Sequence, residues 1–184
     1  MHLPGSVRNL VLIGFMGSGK SSVGREIARR CGLRFLDTDS VIRQRYGKSI
    51  SEIFAIHGES VFREAEHQVL LRLRGARHFV IATGGGIVLQ PENRSILRSI
   101  GPVIWLTADE DVIWERVSRN RNRPLLQTTD PRSTIRDLIE VRYPLYRQAA
   151  DITVETSILT HQEVATRILL ALRFWATKRH EDQH

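Results

Sequence analysis

The sequence predicts a three-layer α/β/α fold, in which helices cover both faces of a parallel β-sheet. Short apolar runs, which are typical of buried strands, alternate along the chain with segments whose apolar residues have helical spacing. Glycines or carboxylates directly follow three of these strands, and ligands of parallel sheets bind at the carboxyl ends of the strands. The order of the elements and the position of the polar residues therefore support the same fold.

Five short strands are predicted, each with the apolar run that a covered sheet requires. They lie at residues 9–14 (NLVLIG), 34–36, 79–82 (FVIA), 102–106 (PVIWL) and 152–154. Helical spacing of apolar residues predicts seven helices, at 21–30, 41–46, 51–56, 59–74, 109–118, 133–149 and 160–175. Residues 119–131 are polar, rich in Arg and broken by proline, which predicts a loop. The charged tail 176–184 is expected to fray.

Length and composition limit the class of protein. The 184 residues fit one domain, 1–184, with a sizeable core. The single cysteine, Cys31, cannot form an internal disulfide, which favours a reducing compartment. No apolar run approaches the roughly 20 residues of a membrane helix, and residues 1–9 lack the apolar stretch of a secretory signal. We expect a cytoplasmic protein with no membrane partner.

The positive charge comes almost entirely from arginine. The net charge is +7, and the only lysines are Lys20, Lys48 and Lys178. The planar guanidinium group binds carboxylates and phosphates in a bidentate manner, so an anionic ligand is indicated. A high isoelectric point also suits nucleic-acid binding, which remains an alternative, as does a simple compositional bias with solvated arginines.

Residues 14–21, GFMGSGKS, fit the phosphate-loop pattern G-x-x-x-x-G-K-[ST] between a predicted strand and a predicted helix. Glycines let several backbone N–H groups turn into one concavity, and the helix N-terminus adds its donors. We predict that Lys20 reaches the β- and γ-phosphates of ATP and that the Ser21 hydroxyl binds Mg²⁺. The predicted nucleotide-binding residues of this loop are Gly17, Ser18, Gly19, Lys20, Ser21 and Ser22. A chance glycine turn is the alternative.

The surroundings of the loop narrow the type of nucleotide-binding protein. The chain contains no Asn-Lys pair of the guanine-binding motif, which argues against a GTPase. The third strand ends in Thr83 and glycines rather than in the magnesium-binding carboxylate that is usual in ABC-type and motor ATPases. The second strand instead ends in Asp37 and Asp39. We predict that Asp39 accepts a hydrogen bond from an acceptor hydroxyl and that Asp37 holds a magnesium-bound water. The alternative is that Thr38 or Asp39 only caps the helix beginning at Val41.

Charged residues occupy apolar positions on two of the predicted helices. Glu66 lies on the stripe of its helix with Phe62, and Arg63 is three residues before it, where a salt bridge can form. Arg142 takes an apolar position just before Pro144, which would kink the helix. Inward arginines beside an aromatic ring suit a carboxylate on a carbon ring. An ordinary surface pair and a snorkelling arginine are the alternatives.

Two further segments are predicted to contact ligands. Gly84, Gly85 and Gly86 would let backbone N–H groups approach a carboxylate or phosphate closely, unless they only form a tight turn. Arginines cluster around the loop 119–131, and one or two of them would close over the phosphates: Arg116, Arg119, Arg121, Arg123 and Arg132. A solvated basic loop is the alternative. The loop lacks the interleaved aromatics that a nucleic-acid surface would favour, so we expect no nucleic-acid partner.

Taken together and in order, these motifs resemble the shikimate kinase family. They are GFMGSGKSS, DTD, GKSISEIFAIHGESVFREAE, TGGG, RNRPLL and RYPLY, within residues 10–154. The resemblance implies a fold like that of the nucleoside monophosphate kinases, with a five-stranded parallel sheet of order 2-3-1-4-5. It implies an acceptor-binding region at about 40–66, a lid at about 119–131, and transfer of the ATP γ-phosphoryl group to shikimate. Members are generally monomeric and act in chorismate and aromatic amino acid biosynthesis.

The resemblance also implies roles for individual residues. The shikimate-binding residues would be Asp39, Phe54, Phe62, Arg63, Gly84, Gly85, Gly86 and Arg142, with Glu66 positioning Arg63. The catalytic residues would be Lys20, Asp39 and Arg123, with Arg123 also on the nucleotide. Ser21 and Asp37 match magnesium positions, and Arg116 packs on adenine with the loop 156–161. Some members have a proline in that loop, and here His161 lies near that place.

Two alternatives to this function remain open at the level of sequence. Gluconate kinases share a phosphate loop and a small acidic substrate, although they lack the ordered RPLL and PLY pair. An ATP-binding regulatory module without kinase activity is the second alternative. Intact Lys20, Ser21, Asp37 and Arg123 argue against it.

Overall fold

A computed structural model describes residues 3–4, 7–119 and 124–181, with side chains as far as residue 178. A parallel five-stranded sheet forms its centre, with the order β2-β3-β1-β4-β5. The strands are β1 (Asn9–Ile13), β2 (Arg34–Asp37), β3 (Phe79–Ala82), β4 (Val103–Thr107) and β5 (Ile152–Glu155). The predicted fold class and strand order are confirmed.

The helices follow the strands in alternation. They are α1 (Lys20–Cys31), α2 (Thr38–Tyr46), α3 (Ile50–Leu73), α4 (Pro91–Ile100), α5 (Glu110–Ser118), α6 (Pro131–Ala149) and α7 (His161–Glu181), with a 3₁₀ helix at Pro124–Leu126. Gly58 interrupts α3 with a φ of 81°, so the break that was predicted between two shorter helices is present within this element.

Helix α4 is an element that the sequence analysis did not predict. Pro91 opens it at a position where the missing N–H group costs nothing, and Ile96, Leu97 and Ile100 turn toward the core. The predicted loop 119–131 is also shorter than expected, because α6 begins at Pro131 and the 3₁₀ helix lies within it.

The core has one apolar layer on each face of the sheet. Along β1, Leu10 and Leu12 pack against α1 and α7, while Val11 and Ile13 pack against α3 and α6. Successive strand side chains point to opposite faces, so a strand covered on both sides is apolar throughout. Among the described residues, no helix is long and apolar enough to span a membrane.

Strand order brings the polar segments to one edge of the sheet. Strand β1 pairs with β3 on one side and with β4 on the other. The loop after β1 therefore begins at the point in the sheet where the strand order reverses, which is where parallel sheets bind ligands. At the start of this loop, Gly14 has a φ of 140°, and a side chain there would collide with the Leu106 carbonyl of β4. The close approach of these backbones requires glycine at this position.

Candidate active site

The phosphate loop joins β1 to α1 and is shaped by glycines in left-handed conformations. Gly17 and Gly19 have φ angles of 80° and 92°. The Nζ atom of the buried Lys20 donates hydrogen bonds of 2.8 Å to the carbonyl oxygens of Gly14 and Phe15. The ammonium group therefore lies against the loop in which phosphates would be bound.

Arg116 and Thr156 donate hydrogen bonds to backbone carbonyl groups of the phosphate loop. Arg116 of α5 donates to the carbonyl oxygens of Gly17 at 3.1 Å and Thr156 at 3.0 Å. The Thr156 hydroxyl donates to the Ser18 carbonyl at 3.3 Å. The predicted adenine contact Arg116 and the segment that follows β5 thus meet at the phosphate loop.

Asp37 connects this loop to the second strand. The Ser21 hydroxyl donates to Asp37 Oδ2 at 2.7 Å, and Asp37 Oδ1 accepts from the Ser40 amide at 3.1 Å as the N-cap of α2. The cap is therefore Asp37, and the alternative in which Thr38 or Asp39 caps this helix is wrong. Capping fixes the carboxylate, so a second oxygen faces Ser21 with little freedom to rotate.

Two cavities open at the carboxyl edge of the sheet and meet at shared residues. One is lined by Lys20, Ser21, Ser22 and Asp37 of the nucleotide side. The other is lined by most of the predicted acceptor-binding residues: Phe54, Phe62, Arg63, Gly84, Gly85, Gly86 and Arg142. Asp39 and Gly85 line both cavities. Asp39 thus lies where the two cavities meet.

Arg63 is held by two carboxylates of its own helix. Its guanidinium group forms ion pairs of 2.6 Å with Glu66 Oε2 and with Glu59 Oε1. The salt bridge predicted between Arg63 and Glu66 is present, and Glu66 is fully buried rather than part of a surface pair. The rings of Phe54 and Phe62 lie 6.0 and 5.4 Å from the guanidinium carbon, so they form an apolar wall beside the charge.

Arg142 differs from Arg63 because it has no carboxylate in contact. It is 3% exposed, lies 5.7 Å from the ring of Phe15, and forms no salt bridge within residues 7–119 and 124–178. Burial lowers the pKa of the Arg142 guanidinium, Tyr146 opposes this shift, and the charge of Arg63 adds to it. The pocket therefore contains a buried positive charge that a bound anion would stabilise.

Two of the three glycines after β3, Gly84 and Gly86, make room for side chains of the site. A side chain at Gly84 would collide with the carboxylates of Asp39 and Glu66, and one at Gly86 would collide with Arg63. The Gly84 amide donates to the Thr38 hydroxyl at 3.0 Å. The predicted role of close backbone approach to a ligand therefore does not describe the Gly84 amide, which already has a protein partner.

The lid prediction falls partly outside the described residues. Arg121 and the predicted catalytic Arg123 lie in the undescribed range 120–123. Of the other arginines of this cluster, Arg119 pairs with Glu115 at 2.7 Å and Arg132 pairs with Asp111. Pro124 and Leu125, which follow the undescribed range, line the same cavity as Arg63 and Arg142.

Two residues near the site were not predicted to contribute to it: His161 was noted only for its position in the loop after β5, and Tyr146 was given no role. His161 lines the nucleotide cavity, with its Nε2 edge toward Gly19. Tyr146 donates from its hydroxyl to the carbonyl oxygen of Gly85. Its spacing of four residues from Arg142 placed it on the same stripe, but a tyrosine there is equally typical of a core.

The buried Glu66 predicts a pH dependence of stability. Burial raises its pKa from 4.5 to about 7, although Arg63 acts in the opposite direction. The folded protein then binds a proton that the unfolded chain releases between these values, so the free energy of unfolding falls as the pH rises through this range. As the pH rises from 4.5 to 7.5, the free energy of unfolding of Glu66→Gln should therefore increase by up to about 3 kcal/mol relative to that of the parent, measured by urea unfolding.

A matched control is Glu64→Gln, which changes an exposed carboxylate of the same helix. Its unfolding free energy should follow the parent at every pH. If the Glu66→Gln curve also runs parallel to that of the parent, Glu66 does not titrate in this range and is ionised throughout.

Comparison with known proteins gives consistent matches. A family model described as shikimate kinase matches residues 16–173. A shikimate kinase of Thermodesulfovibrio yellowstonii is 45% identical over 163 residues, which are 89% of this chain and 94% of that protein. The solved structure of a shikimate kinase from Acinetobacter baumannii in complex with shikimate has a TM-score of 0.88 at 40% identity, and the match covers 91% and 93% of the two chains.

A more distant match concerns the alternative substrate. The structure of a gluconokinase from Sinorhizobium meliloti has a TM-score of 0.60 at 20% identity over 100% of both chains. At this identity the likeness extends to the fold alone. It therefore gives the gluconate alternative no support at the level of the pocket.

Proposed function

Because this chain belongs to the shikimate kinase family, ATP-dependent phosphotransferases with an alcohol acceptor, we propose that it phosphorylates the 3-hydroxyl of shikimate. Family membership also places the reaction in the pathway to chorismate and the aromatic amino acids. The observation that carries the proposal is the buried Arg142, which forms no salt bridge within the described residues and lines the same cavity as Asp39. A ring with a carboxylate at one end and hydroxyls at the other would satisfy both groups.

The acceptor would be held by its carboxylate and oriented by its hydroxyls. Arg142 and Arg63 each present the N–H donors of a planar guanidinium group, which can bind a carboxylate with two hydrogen bonds. Glu59 and Glu66 balance the charge of Arg63, whereas Arg142 forms no salt bridge within the described residues. Phe54 and Phe62 would contact the ring. Asp39, which lines both cavities, would accept the hydrogen bond of the attacking hydroxyl and take its proton as the oxygen bonds to the γ-phosphorus, while the bond from that phosphorus to the bridging oxygen breaks and ADP leaves.

The nucleotide would be bound by residues of the phosphate loop. Backbone N–H groups of Gly17, Ser18 and Gly19 would surround the phosphates, together with Ser22. Lys20 would exchange its contacts with loop carbonyls for contacts with the β- and γ-phosphates and stabilise the charge that develops during transfer. Arg116, which already contacts the loop, would lie beside the adenine, and Arg123 would act from the lid.

Ser21 and Asp37 fit a magnesium ion of the nucleotide. Their side chains supply two oxygen donors 2.7 Å apart at the edge of the phosphate loop, and Mg²⁺ prefers oxygen ligands while keeping several waters. No group of three or more carboxylate, His or Cys side chains suited to a metal occurs among the described residues, as is usual when phosphates supply other ligands. The ion would neutralise charge on the β- and γ-phosphates.

We further propose that residues 1–184 act as one domain, with a lid at about 119–131 and an acceptor-binding region at about 40–66. The protein would be monomeric and cytoplasmic, with shikimate as its small-molecule partner and neither nucleic acid nor membrane involved.

A coupled assay of ADP release tests the function. We expect ADP to form from ATP only when shikimate and Mg²⁺ are both present, and EDTA to stop the reaction. Gluconate and other polyols serve as matched acceptors without the ring carboxylate. ADP release with gluconate but not with shikimate would contradict the proposal.

A further inference from the structure

Tyr146 is a fully buried tyrosine behind the wall of the acceptor pocket. Its exposed fraction is 0%, and its ring packs 5.9 Å from that of Trp105 and 6.3 Å from that of Tyr143. It lines neither cavity, so it is not placed to touch a substrate. A buried hydroxyl must have polar partners, and both partners of this one belong to the site.

The first partner is the carbonyl oxygen of Gly85, to which the Tyr146 hydroxyl donates a hydrogen bond. Gly85 lines both the acceptor cavity and the nucleotide cavity. It also lies close to the Met16 amide of the phosphate loop, since a Cβ atom at Gly85 would be 3.5 Å from that nitrogen. The hydroxyl thus fixes from behind the backbone segment that separates acceptor from nucleotide.

The second partner is Arg142, one helical turn before Tyr146 on α6. Burial raises the pKa of the Tyr146 hydroxyl, and the Arg142 charge acts against this rise. A hydroxyl can donate to one group and accept from another, so its oxygen can face the guanidinium while its proton binds Gly85. Because Arg142 has no salt bridge within the described residues, the phenol is a polar neighbour that can orient it.

We infer that Tyr146 is a positioning residue that holds the Arg142 side chain and the Gly85 backbone in fixed positions relative to each other. The inference rests on the proposed function, since it assigns to Tyr146 the alignment of the carboxylate-binding arginine with the edge where phosphoryl transfer occurs. Without the hydroxyl, Arg142 keeps its charge but can rotate, and the Gly85 carbonyl loses its buried donor. The acceptor should then bind less well, while the nucleotide site is maintained by separate contacts.

The test compares Tyr146→Phe with Tyr143→Phe. Tyr143 is a matched control because it lies on the same helix, packs 5.2 Å from Trp105 and donates to the Ala108 carbonyl at 2.8 Å, yet lines neither cavity. Tyr146→Phe should raise KM for shikimate roughly 5- to 20-fold, with KM for ATP and kcat changed by less than about threefold. Tyr143→Phe should leave all three constants within about twofold.

Loss of the hydroxyl could also act through stability, so thermal unfolding of both variants is measured in parallel. Equal rises in both Michaelis constants, or the same shikimate effect in Tyr143→Phe, would overturn the inference. If the wild-type protein does not use shikimate, the proposed function fails by itself. The same comparison is then made with the acid that the acceptor panel identifies, and an unchanged KM for that acid in Tyr146→Phe overturns the role of Tyr146.

Discussion

Replacing Lys20 by methionine should lower kcat at least about 1000-fold, because the ammonium group is the cation held within the phosphate loop. Methionine keeps much of the length and apolar volume of lysine but cannot neutralise charge on the transferred phosphoryl group. The acceptor cavity does not include Lys20, so shikimate binding measured by calorimetry without nucleotide should change less than about twofold.

The matched control for this variant is Lys48→Met, which removes an exposed lysine after α2. It subtracts the same charge from the protein without touching the nucleotide cavity, and its kcat should be that of the parent. A Lys20→Met protein that retains more than about a tenth of the parental kcat would show that another group stabilises the phosphoryl charge, and the role given to Lys20 would be wrong.

The parts of this site that sequence predicted well are those controlled by neighbours along the chain. The phosphate loop needs only a strand, a glycine turn and a helix in succession, and these elements occur as predicted. The pair of Arg63 and Glu66 is likewise local, because residues three apart share one face of a helix. Strand order followed from the family resemblance rather than from periodicity, which cannot distinguish one arrangement of parallel strands from another.

The parts that sequence did not predict depend on contacts between distant segments. Asp37 rather than Thr38 or Asp39 caps α2, and its other oxygen binds Ser21, sixteen residues earlier. Gly84 and Gly86 leave the space that the ends of the Asp39, Glu66 and Arg63 side chains of α2 and α3 occupy. These demands become visible only once β2 and β3 are paired, because pairing brings the two segments together.

Helix α4 and Tyr146 were missed for different reasons. The α4 segment, PENRSILRSI, is only ten residues long, and it was overlooked although Ile96, Leu97 and Ile100 recur with clear helical spacing after Pro91. Tyr146 fitted the apolar stripe of α6 so well that it appeared to be only core. Its polar partners, Gly85 above all, lie on other elements, and periodicity contains no information about them.

Replacing Arg142 by methionine should weaken shikimate binding at least about 100-fold and at the same time stabilise the protein. Loss of a charge-assisted contact in a desolvated pocket costs about 3 kcal/mol or more of binding energy. Arg142 is 3% exposed and has no salt bridge within the described residues, so the folded protein bears part of the desolvation cost of its guanidinium group. An apolar side chain of similar length removes that cost, and we expect the free energy of unfolding to rise by about 1 kcal/mol or more.

Arg136→Met provides the comparison on the same helix, because Arg136 is 65% exposed and pairs with Glu110 at 3.4 Å. It should affect neither binding nor stability beyond about twofold in the dissociation constant and about 0.5 kcal/mol. The dissociation constants of shikimate and of ADP are measured by calorimetry, and stability by urea unfolding. Equal losses of shikimate and ADP affinity would remove Arg142 from the acceptor pocket. A destabilised Arg142→Met would mean that its charge is already balanced, and the argument for an anionic substrate would lose its physical basis.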